Sequence, residues 1–181
     1  MEVIKTELPE ILLVKPDAFE DNRGWFMESY SYEKYKNLGI DVEFVQDNRS
    51  RTETKGTIRG LHFQKAPKAQ SKLVMCTRGR ILDVVVDLRK KSPTYKKWIA
   101  VELSEQNKYQ LFVPKGFAHG FLSLEDETEI LYKVDDFYSK ECDRSIRFDD
   151  PEIGVDWGIE NPILSDKDLN APLLAQSDCE F

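Results

Sequence analysis

Residues 80–88 read RILDVVVDL. Leu82, Val84, Val86 and Leu88 share one parity, while Ile81, Asp83, Val85 and Asp87 share the other. Successive side chains of a strand point to opposite sheet faces, so the first set makes one apolar face and the second a mixed one. A mixed face inside a β-sandwich is where a pocket could lie. Further strand signals are VEFVQDN (42–48), SKLVMCT (71–77), KWIAVELS (97–104), YQLFVP (109–114), FLSL (121–124), EILYKVDDFY (129–138) and SIRF (145–148). Turn residues separate them at Arg78-Gly79, Lys91-Ser92-Pro93, Pro114-Lys115-Gly116 and Glu125-Asp126. Many short strands at regular spacing predict an antiparallel sandwich or barrel. One helix is expected over 31–39, with Ser31 as N-cap and Gly39 as its end. From Asp149 onward the chain is rich in Pro, Asp and Asn and reads as irregular structure packed on the domain. No repeat, low-complexity tract or linker interrupts it, so residues 1–181 are expected to form one domain.

The formal net charge is −7, which argues against nucleic acid as a bulk partner. An anionic small molecule would need a local basic cluster, for which Arg23, Arg59, Lys72 and Lys167 are candidates. No apolar run reaches membrane-spanning length, and MEVIKTELPE has no basic region followed by an apolar stretch. Cys76, Cys142 and Cys179 are odd in number and form no CxxC pair. Free thiols in a reducing cytoplasm are therefore expected rather than a disulfide framework or a zinc site.

Only two histidines occur, and both sit in glycine-containing, aromatic-flanked segments: His62 in GTIRGLHFQ (56–64) and His119 in PKGFAHGF (114–121). A lone histidine in an apolar strand is more often a core residue than a catalyst. Here Arg59 lies three positions from His62, and its planar fork suits an anion. Histidine is the usual proton-transfer group near neutral pH. A base such as His62 needs a carboxylate to fix its tautomer, and Asp168 in LSDKD could supply one. Lys72 in QSKLV suits an enolate oxygen, and Tyr132 in ILYKV could donate a proton on the opposite face, although it could equally be a cross-strand packing aromatic. In a regular strand Arg59 and His62 face opposite sides. For both to reach one ligand the strand must bulge or end nearby, which Gly60 would permit.

No GxGxxG or P-loop occurs, so the common dinucleotide and nucleoside triphosphate enzymes are disfavoured. The histidines are far apart and no HxH exists, which weighs against a metal-dependent cupin oxygenase without closing off a two-histidine site assembled across strands.

Taken in order, DNRGWFMES (21–29), FVQDN (44–48), GTIRGLHFQ, SKLV (71–74), GRILDVVVDLR (79–89), PKGFAHGF, LYK (131–133) and LSDKD (164–168) resemble the dTDP-4-dehydrorhamnose 3,5-epimerases across nearly the whole chain. The resemblance implies a mostly β, cupin-like antiparallel jelly roll with a few short helices. It implies an isomerase of dTDP-L-rhamnose biosynthesis that epimerises dTDP-4-dehydro-6-deoxy-D-glucose at C3 and C5, without cofactor or metal, as a homodimer with shared active sites. His62 would be the base, Asp168 its orienting carboxylate, Lys72 the enolate donor and Tyr132 the acid. Arg59, His119, Gln46, Asn48 and Lys167 would bind the nucleotide-sugar, and Tyr138 would stack on the thymine. Arg23 and Glu28 would reach the nucleotide from a partner subunit. Asp143 stands where the family often has Glu and is placed with the substrate-binding positions; Phe148 in RFDDP takes the place of a usual Trp. The rival readings are a relative inverting only C3 or only C5, and a non-catalytic sugar-binding cupin.

Overall fold

Strand β8 (Arg80–Asp87) is covered on both faces. Val84, Val86 and the following Leu88 pack with Ile146, Ile153, Trp157 and Leu174, while Ile81 and Val85 pack with Val74, Leu111, Val113 and Ile130. A strand apolar on both sides must be a middle layer. The computed structural model describes residues 1–181 and supplies a layer on each side. One sheet runs in the order β1 (Glu2–Lys5), β2 (Leu12–Lys15), β10 (Gln110–Val113), β7 (Lys72–Arg78), β12 (Thr128–Val134), β5 (Gln46–Thr52). The facing sheet runs β13 (Asp143–Ser145), β6 (Ile58–Gln64), β11 (Phe117–Ser123), β8, β9 (Trp98–Ser104). Every strand pairing is antiparallel. The fold is an antiparallel, cupin-like jelly-roll sandwich. Between the sheets lies the mixed parity of β8, as the pattern predicts, and each buried Val, Leu or Ile there contributes about 1.5–3 kcal/mol.

Two outer layers complete the packing. The C-terminal segment covers the five-stranded sheet and is irregular apart from α2 (Asp166–Leu169) and a 3₁₀ turn at Leu174–Gln176. Helix α1 (Tyr32–Asn37) covers the six-stranded sheet, where Tyr35 packs with Val14, Leu73 and Phe112. The Tyr35 hydroxyl donates to Gln110 Oε1 at 2.6 Å. Ser31 occupies the N-cap position but its side chain makes no capping bond, so burial of Tyr35, not the cap, holds this short helix. Gly39, with φ +94°, turns the chain out of it as expected.

Several strand limits differ from the sequence pattern. Strand β5 begins at Gln46, not Val42, because Val42 and Phe44 are drawn into the layer around α1. Strand β12 ends at Val134, well before Tyr138, because the Asp135 carboxylate accepts the Ser71 N–H at 2.6 Å and ends the ladder. Strand β13 covers Asp143–Ser145 rather than 145–148, and β11 begins at Phe117 rather than Phe121. Strands β1 and β2, and the hairpin of β3 (Ala18–Asp21) and β4 (Gly24–Met27), carry too short a pattern to be read from sequence.

The pairing of β6 with β11 sets up the interior. His62 lies opposite His119 and Arg59 opposite Phe121, so two residues of β6, Gly60 and Leu61, face Gly120 alone. This bulge shifts the parity, sending Leu61 outward with Ile58 and Phe63 while Arg59 and His62 both turn inward. Gly60 has φ +135°, and a Cβ there would lie 2.5 Å from Gly120 Cα and 2.9 Å from the His119 carbonyl oxygen. Gly60→Ala is therefore expected to cost about 3 kcal/mol or more in urea unfolding. Gly154→Ala, at φ +64° with nothing within 4 Å, should cost only about 1–2 kcal/mol. Equal losses at the two sites would contradict the close approach.

Candidate active site

A cavity of about 560 Å³ lies between the inner faces of the two sheets. The six-stranded sheet gives it Lys72, Ser50, Ile130 and Tyr132; the five-stranded sheet gives Arg59, His62, Gln64, His119, Phe121 and Asp143. Ser165, Lys167 and Asp168 close one side. That segment is brought in by backbone bonds between the Ile58 N–H and the Ile163 carbonyl and between the Ile163 N–H and the Gly56 carbonyl.

Ser165 caps α2 by accepting the Asp168 N–H at 3.1 Å, and this turn presents the Asp168 carboxylate to His62. The His62 Nε2 to Asp168 Oδ1 distance is 2.5 Å, and Asp168 is buried. Burial alone would raise the Asp168 carboxyl, but hydrogen bonds from His62, Ser165 and the Gly60 backbone outweigh it and hold the group below its usual range. The carboxylate therefore stays ionised beside the ring and orients it. Nδ1 of His62 has no protein partner.

A second histidine–carboxylate pair stands next to the first. His119, opposite His62 across the strands, places Nε2 2.9 Å and 3.0 Å from the two oxygens of buried Asp83. Burial lowers the His119 pKa despite the opposing pull of Asp83, so the ring is neutral at pH 7. With Nε2–H given to Asp83, its other nitrogen can accept from a hydroxyl. No group of three His, Cys, Asp or Glu side chains forms a metal-ligating cluster.

Lys72 continues the inward row of β7 beyond Val74 and Cys76, and its Nζ lies 3.4 Å from the His62 carbonyl oxygen. Burial pulls its ammonium from the usual 10.5 down to about 8, partly opposed by Asp83 and Asp143. Across the cavity, burial raises the Tyr132 hydroxyl; Asp143 adds to the rise and Arg59 opposes it. Tyr132 therefore keeps its proton at neutral pH. The Arg59 guanidinium is fixed by Nε to Thr52 Oγ1 and Nη2 to the Arg51 carbonyl, both at 3.0 Å. Lys167 Nζ donates to Asp143 Oδ2 at 2.7 Å.

A base with an ionised partner, a buried cation and a protonated phenol thus share one cavity. The sequence model of the dTDP-4-dehydrorhamnose 3,5-epimerases matches residues 5–176. The chain belongs to this family. A dTDP-4-dehydrorhamnose 3,5-epimerase of Shigella flexneri is 51% identical over 179 residues, which cover 98% of each chain. A crystal structure of the Bacillus anthracis epimerase with TDP and PPi bound has a TM-score of 0.93 and 50% identity, covering 95% of this chain and 98% of the other. A Legionella pneumophila epimerase in complex with dTDP-4-keto-L-rhamnose also has a TM-score of 0.93, with 42% identity, covering 98% of this chain and 94% of the other.

Of the residues singled out in sequence, His62, Asp168, Lys72, Tyr132, Arg59, His119, Tyr138, Asp143 and Lys167 all line the cavity. Gln46 and Asn48 stand beside it on β5, where Gln46 Nε2 donates to Asn48 Oδ1 at 2.8 Å and Gln46 Oε1 accepts the Tyr138 N–H at 3.4 Å. Arg23 and Glu28 do not join this chain's cavity. Arg23 pairs with Asp21 on the β3–β4 hairpin, and Glu28 pairs with Lys34. The basic cluster is therefore Arg59, Lys72 and Lys167 without Arg23. Asp83 was not singled out as a site residue, although an aspartate on the inward parity of an apolar strand was its signal. Gln64 was missed as well. The shift of Lys72 is directly measurable: an NMR titration of ¹⁵N-lysine protein should find one amine, absent in Lys72→Met, titrating near pH 8. An amine that stays charged to pH 10 would contradict its burial.

Proposed function

We infer that the chain takes dTDP-4-dehydro-6-deoxy-D-glucose and inverts C3 and C5 to give dTDP-4-dehydro-L-rhamnose. The observation that carries this is the placement of His62 and Tyr132 on opposite sheets facing one cavity. The C4 ketone acidifies the neighbouring C–H bonds. His62 takes the proton, the C–H electron pair forms the C=C bond to C4, the carbonyl π pair moves to the ketone oxygen, and the Lys72 ammonium holds the resulting enolate. Such a donor is typically worth about 3 kcal/mol. Tyr132 then delivers a proton to the opposite face of the carbon, and solvent restores both groups. Asp168 keeps His62 oriented and stabilises its charged form. Neutral His119, oriented by Asp83, accepts from a sugar hydroxyl. Arg59 and Lys167 hold the diphosphate, Gln46, Asn48 and Asp143 contact the nucleotide-sugar, and Tyr138 offers its ring to the thymine. No step calls for a metal or cofactor.

The active unit is a homodimer. Its support is the β3–β4 hairpin, where Phe19, Trp25 and Phe26 are 64%, 56% and 66% exposed around Arg23. An apolar patch of this kind suits a protein interface. On this reading Arg23 and Glu28 serve the partner's cavity, as the family resemblance implies. Residues 1–181 act as one domain in the cytoplasm, a compartment that suits three free, buried cysteines.

Two experiments test the reading. Product NMR in D2O should find deuterium at C3 and C5 with both centres inverted. His62→Asn should abolish exchange and inversion. Tyr132→Phe keeps the ring but loses the donor, so C5 deuterium wash-in should outrun C5 inversion. Parental inversion by Tyr132→Phe would remove it from the mechanism. The shared site is tested by mixing inactive Arg23→Ala and His62→Asn chains. Half the dimers become mixed and one site in each is intact, so about a quarter of parental activity should return. No recovery after verified subunit exchange would sink the shared site.

A further inference from the structure

Gln64 lies two residues beyond His62 on β6 and turns to the same inner face. Its side chain is buried, and its amide is fully engaged by backbone. Nε2 donates to the Lys68 carbonyl at 2.6 Å and to the Phe137 carbonyl at 3.2 Å. Oε1 accepts the Ser139 N–H at 2.7 Å. The last two bonds grip the peptide groups on either side of Tyr138. Tyr138 as a whole is 59% exposed and lines the cavity, so its own packing does little to hold it in place.

The neighbouring bonds show that the grip is specific. Gln70 Nε2 donates to the Asp136 carbonyl at 2.7 Å, and Lys68 Nζ pairs with Asp136 at 2.8 Å. These tie the loop after β6 to the loop after β12, as do the Ser71 N–H to Asp135 and the Lys65 N–H to the Cys142 carbonyl, but none of them reaches residues 137–139. Of the side chains on β6, the strand that carries the base, Gln64 alone reaches residues 137–139. The Tyr138 N–H has one further tie, to Gln46 at a long 3.4 Å.

We propose that Gln64 is a positioning residue that sets Tyr138 over the cavity and so fixes the nucleotide end of the substrate relative to His62. The proposal rests on reading the cavity as a nucleotide-sugar site with Tyr138 on the base. Only a side chain with both donors and an acceptor can serve two carbonyls and an N–H at once. Methionine has the right length and neither function, and glutamate would set a carboxylate against two carbonyl oxygens.

Gln64→Met should therefore weaken TDP binding in calorimetry about tenfold and raise KM to match, with kcat little changed, because His62 keeps its Asp168 partner. Amide hydrogen exchange at residues 137–139 should quicken in the same variant. Tyr138→Ala should weaken TDP binding by at least as much. In the Tyr138→Ala background, Gln64→Met should then add less than about twofold, since coupled residues are not additive. Full additivity would make Gln64 a general structural residue and overturn the proposal, as would unchanged TDP affinity in Gln64→Met. Should Gln64→Met not fold, Gln64→Asn, which keeps the amide but falls short, is put through the same cycle with the same expected and contrary results. Failure of the parent to bind TDP would instead overturn the nucleotide-sugar reading beneath it.

Discussion

The site depends on two backbones meeting without side chains between them. Gly60 and Gly120 face each other across β6 and β11, and a Cβ on Gly60 would lie 2.5 Å from its neighbour. That closeness admits the extra residue of the β6 bulge. Without the bulge, His62 would share the outward parity of Phe63's layer whenever Arg59 faced inward. With it, the Arg59 guanidinium and the His62 ring share a cavity. One local backbone irregularity thus turns Arg59 and His62 to the same side, where the Ser165-capped turn sets Asp168 against His62.

Burial then separates the protonation states. The chain carries a net charge of −7, yet the cavity gathers Arg59, Lys72 and Lys167. Desolvation favours the neutral form of the buried groups Asp168, His119, Lys72 and Tyr132, and specific partners decide which ones resist. Asp168 stays ionised because His62, Ser165 and Gly60 bond to it. His119 becomes neutral because Asp83 only partly offsets its burial. Lys72 retains its charge at pH 7 with a pKa of about 8, close enough to neutrality to be a strong donor. Tyr132 moves upward and stays protonated. Asp168 is held below its usual range and Tyr132 above it, so an ionised carboxylate and a protonated phenol stand at one cavity.

Much of this was legible in the chain, and the exceptions have physical causes. The parity of RILDVVVDL marks a strand with one apolar and one mixed face, and the tension between Arg59 and His62 requires the strand to bulge or end near Gly60; the structure has the bulge. Edge elements were harder. Strands β1 to β4 are four residues each, too short for a period to emerge. The apolar Val42 and Phe44 belong to a third layer around Tyr35, so their pattern misplaces the start of β5. Asp83 and Gln64 act through long-range partners, His119 and the Phe137–Ser139 backbone. No spacing along the sequence encodes those contacts, so chemistry at those two positions could be suspected but not assigned.

The sandwich also accounts for how one base could serve two carbons. In a glucose-configured chair, H3 and H5 are axial on the same face of the ring, and C4 lies between them. On the proposed reading, a substrate lying between the sheets with its C4 oxygen on Lys72 would turn that face to His62 and the opposite face to Tyr132. Both protons would then leave toward one sheet and both replacements arrive from the other, without the sugar turning over. The enolate oxygen is common to both steps, so a single buried ammonium serves each in turn. The geometry therefore asks little of the sugar end beyond a face-on orientation. On the proposed reading, fixing that orientation falls to the nucleotide end, held by Arg59, Lys167 and the anchored Tyr138 ring, all of which line the cavity.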